Sequence, residues 1–256
     1  MAKVICITNQ KGGVGKTTTA VNLAYYLAKD KFRVLLVDLD PQGNASSGSG
    51  VADKEELDVS MTEVMLGVCS LKEVILETDY KNFDIAPTTT RLANAEVEMT
   101  NMPDRFVKLR NALKEVAADY DYIIIDSPPS LSLLTVGGMV AADYLIVPVQ
   151  TEFYAMEGVG QLVQHKMMVN QKLNPRLQIL GVVATMFDKR TSLSGEVLVE
   201  MKKAFQTAVF HTVIPRNVRV AEAPSHHVPV GAYDKFSKGA KAYKDFAREV
   251  IERTSK

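Results

Sequence analysis

Cysteine is scarce in this chain of 256 residues: Cys6 and Cys69 are the only two. They lie far apart and form no C-x-x-C pair or zinc-ligand spacing, which excludes a disulfide framework and a structural zinc site. No uninterrupted apolar run approaches the length of a membrane span. The first strand-like run starts at Val4, leaving no room for a signal peptide, so the expected location is cytoplasmic. Internal repeats, low-complexity segments and a convincing domain linker are also missing. Net charge is zero, with 30 Lys plus Arg against 30 Asp plus Glu, so global charge points to no class of partner.

What is present is an ordinary globular composition, 46% hydrophobic, enough to bury a substantial core. One α/β domain over residues 1–256 is expected. The charge is unevenly spread. From Met186 onward there are thirteen Lys/Arg against eight Asp/Glu, a mildly basic C-terminal third. Taken alone, such an excess is a solvated surface; it gains meaning only if the charges share a face.

The strongest motif is Lys11-Gly12-Gly13-Val14-Gly15-Lys16-Thr17-Thr18, directly after the apolar run Val4-Ile5-Cys6-Ile7. A β-branched run, a glycine-rich turn and a helical pattern together build a phosphate-binding loop. Its amides converge on phosphate oxygens and the helix N-terminus adds a positive dipole end. Lys16 is placed to reach the β- and γ-phosphates of a nucleotide, and the Thr17 hydroxyl to ligate Mg²⁺. The loop departs from the general pattern in one respect: where G-x-x-x-x-G-K-[ST] asks for glycine, this chain has Gln10, and it adds Lys11 inside the loop.

Two further strand ends carry acids. Arg33-Val34-Leu35-Leu36-Val37 leads into Asp38-Leu39-Asp40-Pro41-Gln42-Gly43-Asn44. That is a turn-favouring sequence, placed at the carboxyl end of a strand where sheet geometry opens the nucleotide crevice. Tyr122-Ile123-Ile124-Ile125 ends in Asp126 before Ser127-Pro128-Pro129. Apolar residues capped by an aspartate match a Walker B strand, whose carboxylate supports Mg²⁺ through a water.

Periodicity predicts a helix over 16–29, a short helix opened by the capping box Ser60-x-x-Glu63, and another near 71–76. Further helices are expected over 91–99, 104–118, 155–172 and 238–253. Additional strands are expected over 83–86, 144–149, 179–184 and 209–213. Met167 and Met168 read as core filler. On the last helix Ala240, Tyr243, Ala247, Val250 and Ile251 fall on one stripe, expected to dock on the sheet.

With these motifs in order, the chain resembles the ParA/Soj partition ATPases of the ParA/MinD superfamily. The likeness covers nearly the whole chain, and Ile214-Pro215-Arg216-Asn217-Val218-Arg219 through Glu222-Ala223-Pro224-Ser225 also resembles these proteins. The resemblance implies a P-loop NTPase fold, a mostly parallel twisted sheet with helices on both faces. It implies ATP and Mg²⁺ as cofactors and a slow ATPase stimulated by a ParB-like centromere-binding protein. Lys11 takes the place of the family's signature lysine, which reaches phosphates bound by the other subunit of an ATP-dependent homodimer. Asp40 is expected to orient the attacking water, and Pro215 and Asn217 to border the adenine. Arg190 and Arg219 match positions that bind non-specific double-stranded DNA in Soj-like relatives. Lys189, Lys202, Lys203 and Arg216 extend that patch, which implies association with the nucleoid. No helix-turn-helix extension precedes the loop, so a separate operator-binding role is not expected.

Three alternatives keep the fold. A MinD-like ATPase would attach to a membrane through a basic amphipathic C-terminal helix. Here Asp245, Glu249 and Glu252 interrupt the basic face, and the tail is polar Thr254-Ser255-Lys256. An iron–sulfur protein would need paired cysteines at a dimer seam, which Cys6 and Cys69 do not supply. A ParA-type ATPase positioning a non-DNA cargo shares every motif.

Overall fold

Alternation within the central strands decides the architecture. In the computed structural model, which describes residues 1–152 and 155–255, Val4 and Cys6 face one hydrophobic cluster while Ile5 and Ile7 face another. Both faces of the strand are therefore buried, the environment of a central parallel strand.

The first half of the chain runs β1 (Lys3–Ile7), α1 (Lys16–Lys29), β2 (Val34–Asp38), α2 (Asn44–Gly48), α3 (Met61–Leu66), α4 (Leu71–Val74), β3 (Leu76–Glu77) and β4 (Phe83–Ala86). It continues through α5 (Leu92–Met99), α6 (Lys108–Lys114), β5 (Tyr122–Asp126), α7 (Leu133–Ala141), β6 (Tyr144–Gln150) and α8 (Ala155–Lys172). The last third holds β7 (Gln178–Thr185), α9 (Ser192–Phe205), α10 (Val218–Glu222), α11 (Val230–Tyr233) and α12 (Lys238–Thr254).

Among the described residues the strands form one seven-stranded sheet, ordered β3-β4-β2-β5-β1-β6-β7. Only the short β3–β4 pairing is antiparallel. Because β5 lies between β1 and β2, the carboxyl ends of these three strands meet, and ligands bind at such a crevice. Helices cover both faces as expected. On one face α1 and α12 pack together, with Tyr243, Phe246 and Ala247 buried beneath α12. Each large buried side chain of this kind contributes about 1.5–3 kcal/mol. Ile251 lies at the edge of the stripe, half-buried, and Phe246 takes a central place in it. Met167 and Met168, by contrast, are exposed rather than core.

The capping box forms as the sequence predicts: the Ser60 amide donates to Glu63 Oε2 (2.8 Å), and Ser60 Oγ accepts from the Thr62 amide (3.1 Å). The strand expected over 209–213 does not form. The segment meets β7 only in passing, through Phe210 N to Val182 O (2.9 Å) and Ile214 N to Ala184 O (2.8 Å). Side chains of α12 replace a strand partner: Glu249 accepts from the His211 and Thr212 amides (2.8 and 3.0 Å). Arg253 donates to the carbonyls of Leu180, Ala208 and Val209.

The helix expected over 104–118 shrinks to Lys108–Lys114, because Glu115 and Val116 close into i→i−3 bonds to Ala112 and Leu113. Helices α7 and α9 have no counterpart among the elements expected from periodicity. In α7 the pair Gly137-Gly138 obscures a helix whose close packing needs a small residue. A Cβ on Gly138 would stand 3.2 Å from Cys6 Sγ. Lys256, part of the polar tail, lies outside the described residues.

Candidate functional site

The loop after β1 is held open by backbone conformations that side chains rarely adopt. Gly13 and Gly15 have φ of 74° and 86°, the left-handed region where glycine carries no Cβ penalty. Gly15 precedes the first turn of α1, whose amides face the loop. Neighbouring strands fix the rest. Thr185 Oγ1 of β7 donates to the Val14 carbonyl (2.8 Å), the Lys11 amide donates to Asn9 Oδ1 (3.0 Å), and Asn9 Nδ2 donates to the Pro148 carbonyl (2.7 Å). Gly12 lies on the surface next to Pro129, and Thr18 is half-buried at the head of α1.

Lys16 is buried and donates Nζ to the Lys11 carbonyl (3.2 Å). Burial lowers its pKa, while the charges of Asp126 and Asp40 raise it and so partly offset that shift. The lysine of the loop, the acid that ends β5 and the acid of the turn after β2 thus share one electrostatic site. Lys11 is half-buried and forms no ion pair among the described residues.

Asp126 is in register with Ile7 on one side and Asp38 on the other. It is fully buried, and neither carboxylate oxygen accepts a hydrogen bond of ordinary geometry among the described residues, although the Thr17 hydroxyl lies near enough to lower its pKa in part. Burial first, and then the charge of Asp38, hold its pKa well above the usual carboxylate range. An orphaned buried carboxylate is costly unless something charged completes it.

The acidic turn after β2 is organised by Asp38, which opens the D-x-D motif but to which the sequence assigns no role of its own. Asp38 accepts from the Asp40 amide (3.2 Å) and from both the amide and the hydroxyl of Ser46 (2.7 Å each). Ser46 Oγ in turn accepts from the Thr88 amide (3.0 Å) beyond β4. Burial pushes Asp38 up to about 6 despite these bonds. Asp40, also buried, accepts from the Gln42 amide (3.0 Å). The signal for Asp38 in the sequence is its place as the first acid of the D-x-D pair.

A cleft of about 280 Å³ adjoins the loop, lined by Thr17, Thr18, Asn22, Ser47, Val220 and Pro224 among others. Its far wall is the segment after α10, tied to α2 where His227 Nδ1–H donates to the Ser47 carbonyl (3.2 Å). Neither Pro215 nor Asn217 lines it. Asn217 spends its side chain capping α10, accepting from the Val220 amide (3.3 Å), and Pro215 bridges to Phe187 just past β7.

Pro215 instead shares a second cleft, of about 630 Å³, with Lys189, Arg190 and Arg216. Lys238 and Lys241 of α12 complete its basic wall, on the side of the helix that the apolar stripe leaves out. The arginines here already have partners. Arg190 grips Asp188 (2.7 Å), holding that carboxyl well below its ordinary range, and Arg216 reaches Glu152 (3.6 Å). Arg219 pairs with Glu222 (2.8 Å) and Asp234 (3.6 Å), and Lys203 with Glu200 (2.7 Å). Exposed pairs of this sort contribute little and exchange partners readily.

A glycine loop at the head of α1, with acids closing the two adjacent strands, is the layout of a P-loop nucleoside triphosphatase. Residues 2–179 match a family model described as an AAA domain. The chain is 49% identical over 250 residues to the sporulation initiation inhibitor protein Soj of Bacillus subtilis, covering 98% of each chain. It is 45% identical over 253 residues to the chromosome partitioning protein ParA of Myxococcus xanthus, covering 99% of this chain and 89% of that one. Its fold superposes on a Mycobacterium smegmatis structure named cobyrinic acid a,c-diamide synthase, which holds ADP and magnesium. That match has a TM-score of 0.88 at 37% identity, covering all of this chain and 96% of the other. The chain belongs to the ParA/Soj family of chromosome-partitioning ATPases.

Proposed function

We propose that this chain is an ATP-dependent dimeric switch that binds double-stranded DNA without sequence preference. With a ParB-like partner that stimulates its slow ATP hydrolysis, it would segregate chromosomes or plasmids, with residues 1–256 working as one nucleoid-associated cytoplasmic domain. The observation that carries this reading is the convergence of Lys16, Asp40 and the orphaned Asp126 at one crevice.

The unpartnered oxygens of Asp126 fit a divalent cation. Thr17, and Asp126 through a water, would hold Mg²⁺, which would offset phosphate charge. Lys16 exchanges the Lys11 carbonyl for phosphate oxygens when nucleotide enters. Asp40 orients the attacking water. Positioning and electrostatics carry such a transfer, with no covalent intermediate on the protein. Lys11, without an ion pair among the described residues, reaches the nucleotide of the second subunit and makes dimerisation depend on ATP. Asn217 caps α10, whose Val220 lines the cleft beside the loop, and through that helix Pro215 and Asn217 would border the adenine.

Loss of the γ-phosphate reorders the turn after Asp40 and releases the dimer. Because α2 is tied to the segment carrying Arg219 through Ser47 and His227, that reordering also reaches the basic surface. Lys189, Arg190, Arg216 and Arg219 contact phosphates, and dimerisation doubles their number. A membrane-bound reading draws no support from α12: Asp245 pairs with Arg248 and Glu249 with Arg253, and no helix among the described residues is long and apolar enough to cross a membrane.

The test is a gel shift with no nucleotide, ADP or ATP across a salt series. The expected result is a shift with ATP alone that weakens steeply with salt. Equal shifts in all three states, or pelleting with anionic liposomes in place of DNA, would overturn the reading.

A further inference from the structure

The turn that carries Asp40 is gripped from two sides. From beneath, Asp38 holds the amides of Asp40 and Ser46. From above, Lys54 Nζ donates to the carbonyls of Gln42 and Gly43, the latter at 2.7 Å. Lys54 has no carboxylate partner among the described residues, so these two carbonyls are what its ammonium serves. Hydrogen bonds from a charged donor are roughly twice as strong as neutral ones.

Gly43 leaves the room for this contact. It has φ of 62°, and a Cβ there would stand 2.5 Å from Lys54 Nζ and 2.8 Å from its Cδ. The lysine is itself mounted on an anchored turn. The next residue, Glu55, accepts from the Thr90 amide (3.2 Å) and hydroxyl (2.9 Å), and Arg91 donates to the Leu57 carbonyl (3.0 Å). Thr90 lies two residues beyond Thr88, which donates to Ser46 Oγ. The two grips therefore close on the same short segment after β4.

We propose that Lys54 is a positioning residue for hydrolysis, clamping the turn at Gln42 and Gly43 so that Asp40 is held at the reacting phosphate. This rests on the reading of Asp40 as the residue that orients water. Displacement of a reacting group by about 1 Å can lower a rate as much as a hundredfold, so a mobile Asp40 turn has a kinetic cost without weakening ATP binding.

The test compares Lys54→Met, which keeps the stem and removes the donors, with Lys54→Arg, which keeps charge and donors. Hydrogen exchange across residues 42–47 is measured without nucleotide, and ATP hydrolysis is measured alongside. Lys54→Met is expected to speed exchange in that segment and lower kcat about tenfold with KM changed less than about twofold. Lys54→Arg is expected to restore both. Unchanged exchange in Lys54→Met overturns the clamp whatever Asp40 does. Faster exchange with native kcat, or an equal loss in kcat/KM arising only from KM, overturns the positioning role. Asp40→Ala serves as the reference: native turnover in that variant removes Asp40 from hydrolysis and the kinetic role of Lys54 with it, while the exchange result still decides the clamp.

Discussion

Asp38 and Asp126 stand opposite each other on neighbouring parallel strands, both fully buried, yet among the described residues Asp38 accepts three well-formed hydrogen bonds while Asp126 has only the Thr17 hydroxyl nearby. The pair divides the labour at the crevice. Asp38 shapes the backbone of the acidic turn, whereas Asp126 is left with an unmet demand that the fold alone does not satisfy.

Replacing that unmet charge is therefore expected to stabilise the empty protein. Asp126→Asn should raise the nucleotide-free melting temperature by a few degrees, since the neutral amide keeps the shape but removes a buried acid whose charge costs more to bury than a neutral polar group, and each kcal/mol is about 2–4 °C at this size. The same variant should lose the further stabilisation that ATP gives in the presence of magnesium. Thermal scans with and without Mg-ATP read both effects. An empty variant no more stable than the native chain would show that Asp126 carries no strain.

The pH dependence has a definite sign. Asp38 is pushed up to about 6 in the folded state, and Asp126 is raised as well. The folded chain then holds these protons where the unfolded chain has released them. This contribution to stability is full below about pH 4 and declines as pH rises through the folded values. Urea midpoints of the native chain and Asp38→Asn, taken from about pH 4 to pH 7, should show the native-minus-variant difference shrinking with rising pH. A difference that grows with pH would reverse the assignment.

The two lysines of the loop should separate cleanly. Lys16→Ala is expected to weaken ATP binding by about a hundredfold or more, the equivalent of about 2.7 kcal/mol. Lys11→Ala should keep ATP affinity within a few-fold but remain monomeric with ATP in sedimentation. A Lys11→Ala dimer would place the intersubunit contact elsewhere.

On the basic surface, Arg190→Glu with Arg219→Glu should abolish the gel shift while leaving ATP-dependent dimerisation intact. The milder pair Arg190→Ala and Arg219→Ala should flatten the plot of log affinity against log salt by about 0.9 for each DNA phosphate that is no longer neutralised. Weaker binding without a change in slope would mean that these arginines do not meet phosphate.

Much of the crevice was legible in the chain because its parts are local. The strands β1, β2 and β5 are continuous apolar runs, since parallel strands buried on both faces need them, and the residue ending each run marks the carboxyl edge. The glycines at 13 and 15 announce their own left-handed turns, and Ser60 with Glu63 announces a helix start. The segment after β7 was less legible. Val209 and Phe210 have strand-forming side chains, but Glu249 and Arg253, some forty residues on, take the backbone groups that a strand would share.

By itself, then, the sequence determined the phosphate loop, the acids at the strand ends and the family. Tertiary structure decided which of those acids is satisfied and which is not, that Lys54 closes over Gly43, and that the arginines of the basic surface are already paired. The reason is physical: backbone conformation follows from neighbours in sequence, whereas desolvation and hydrogen-bond satisfaction depend on which strands the sheet order brings side by side.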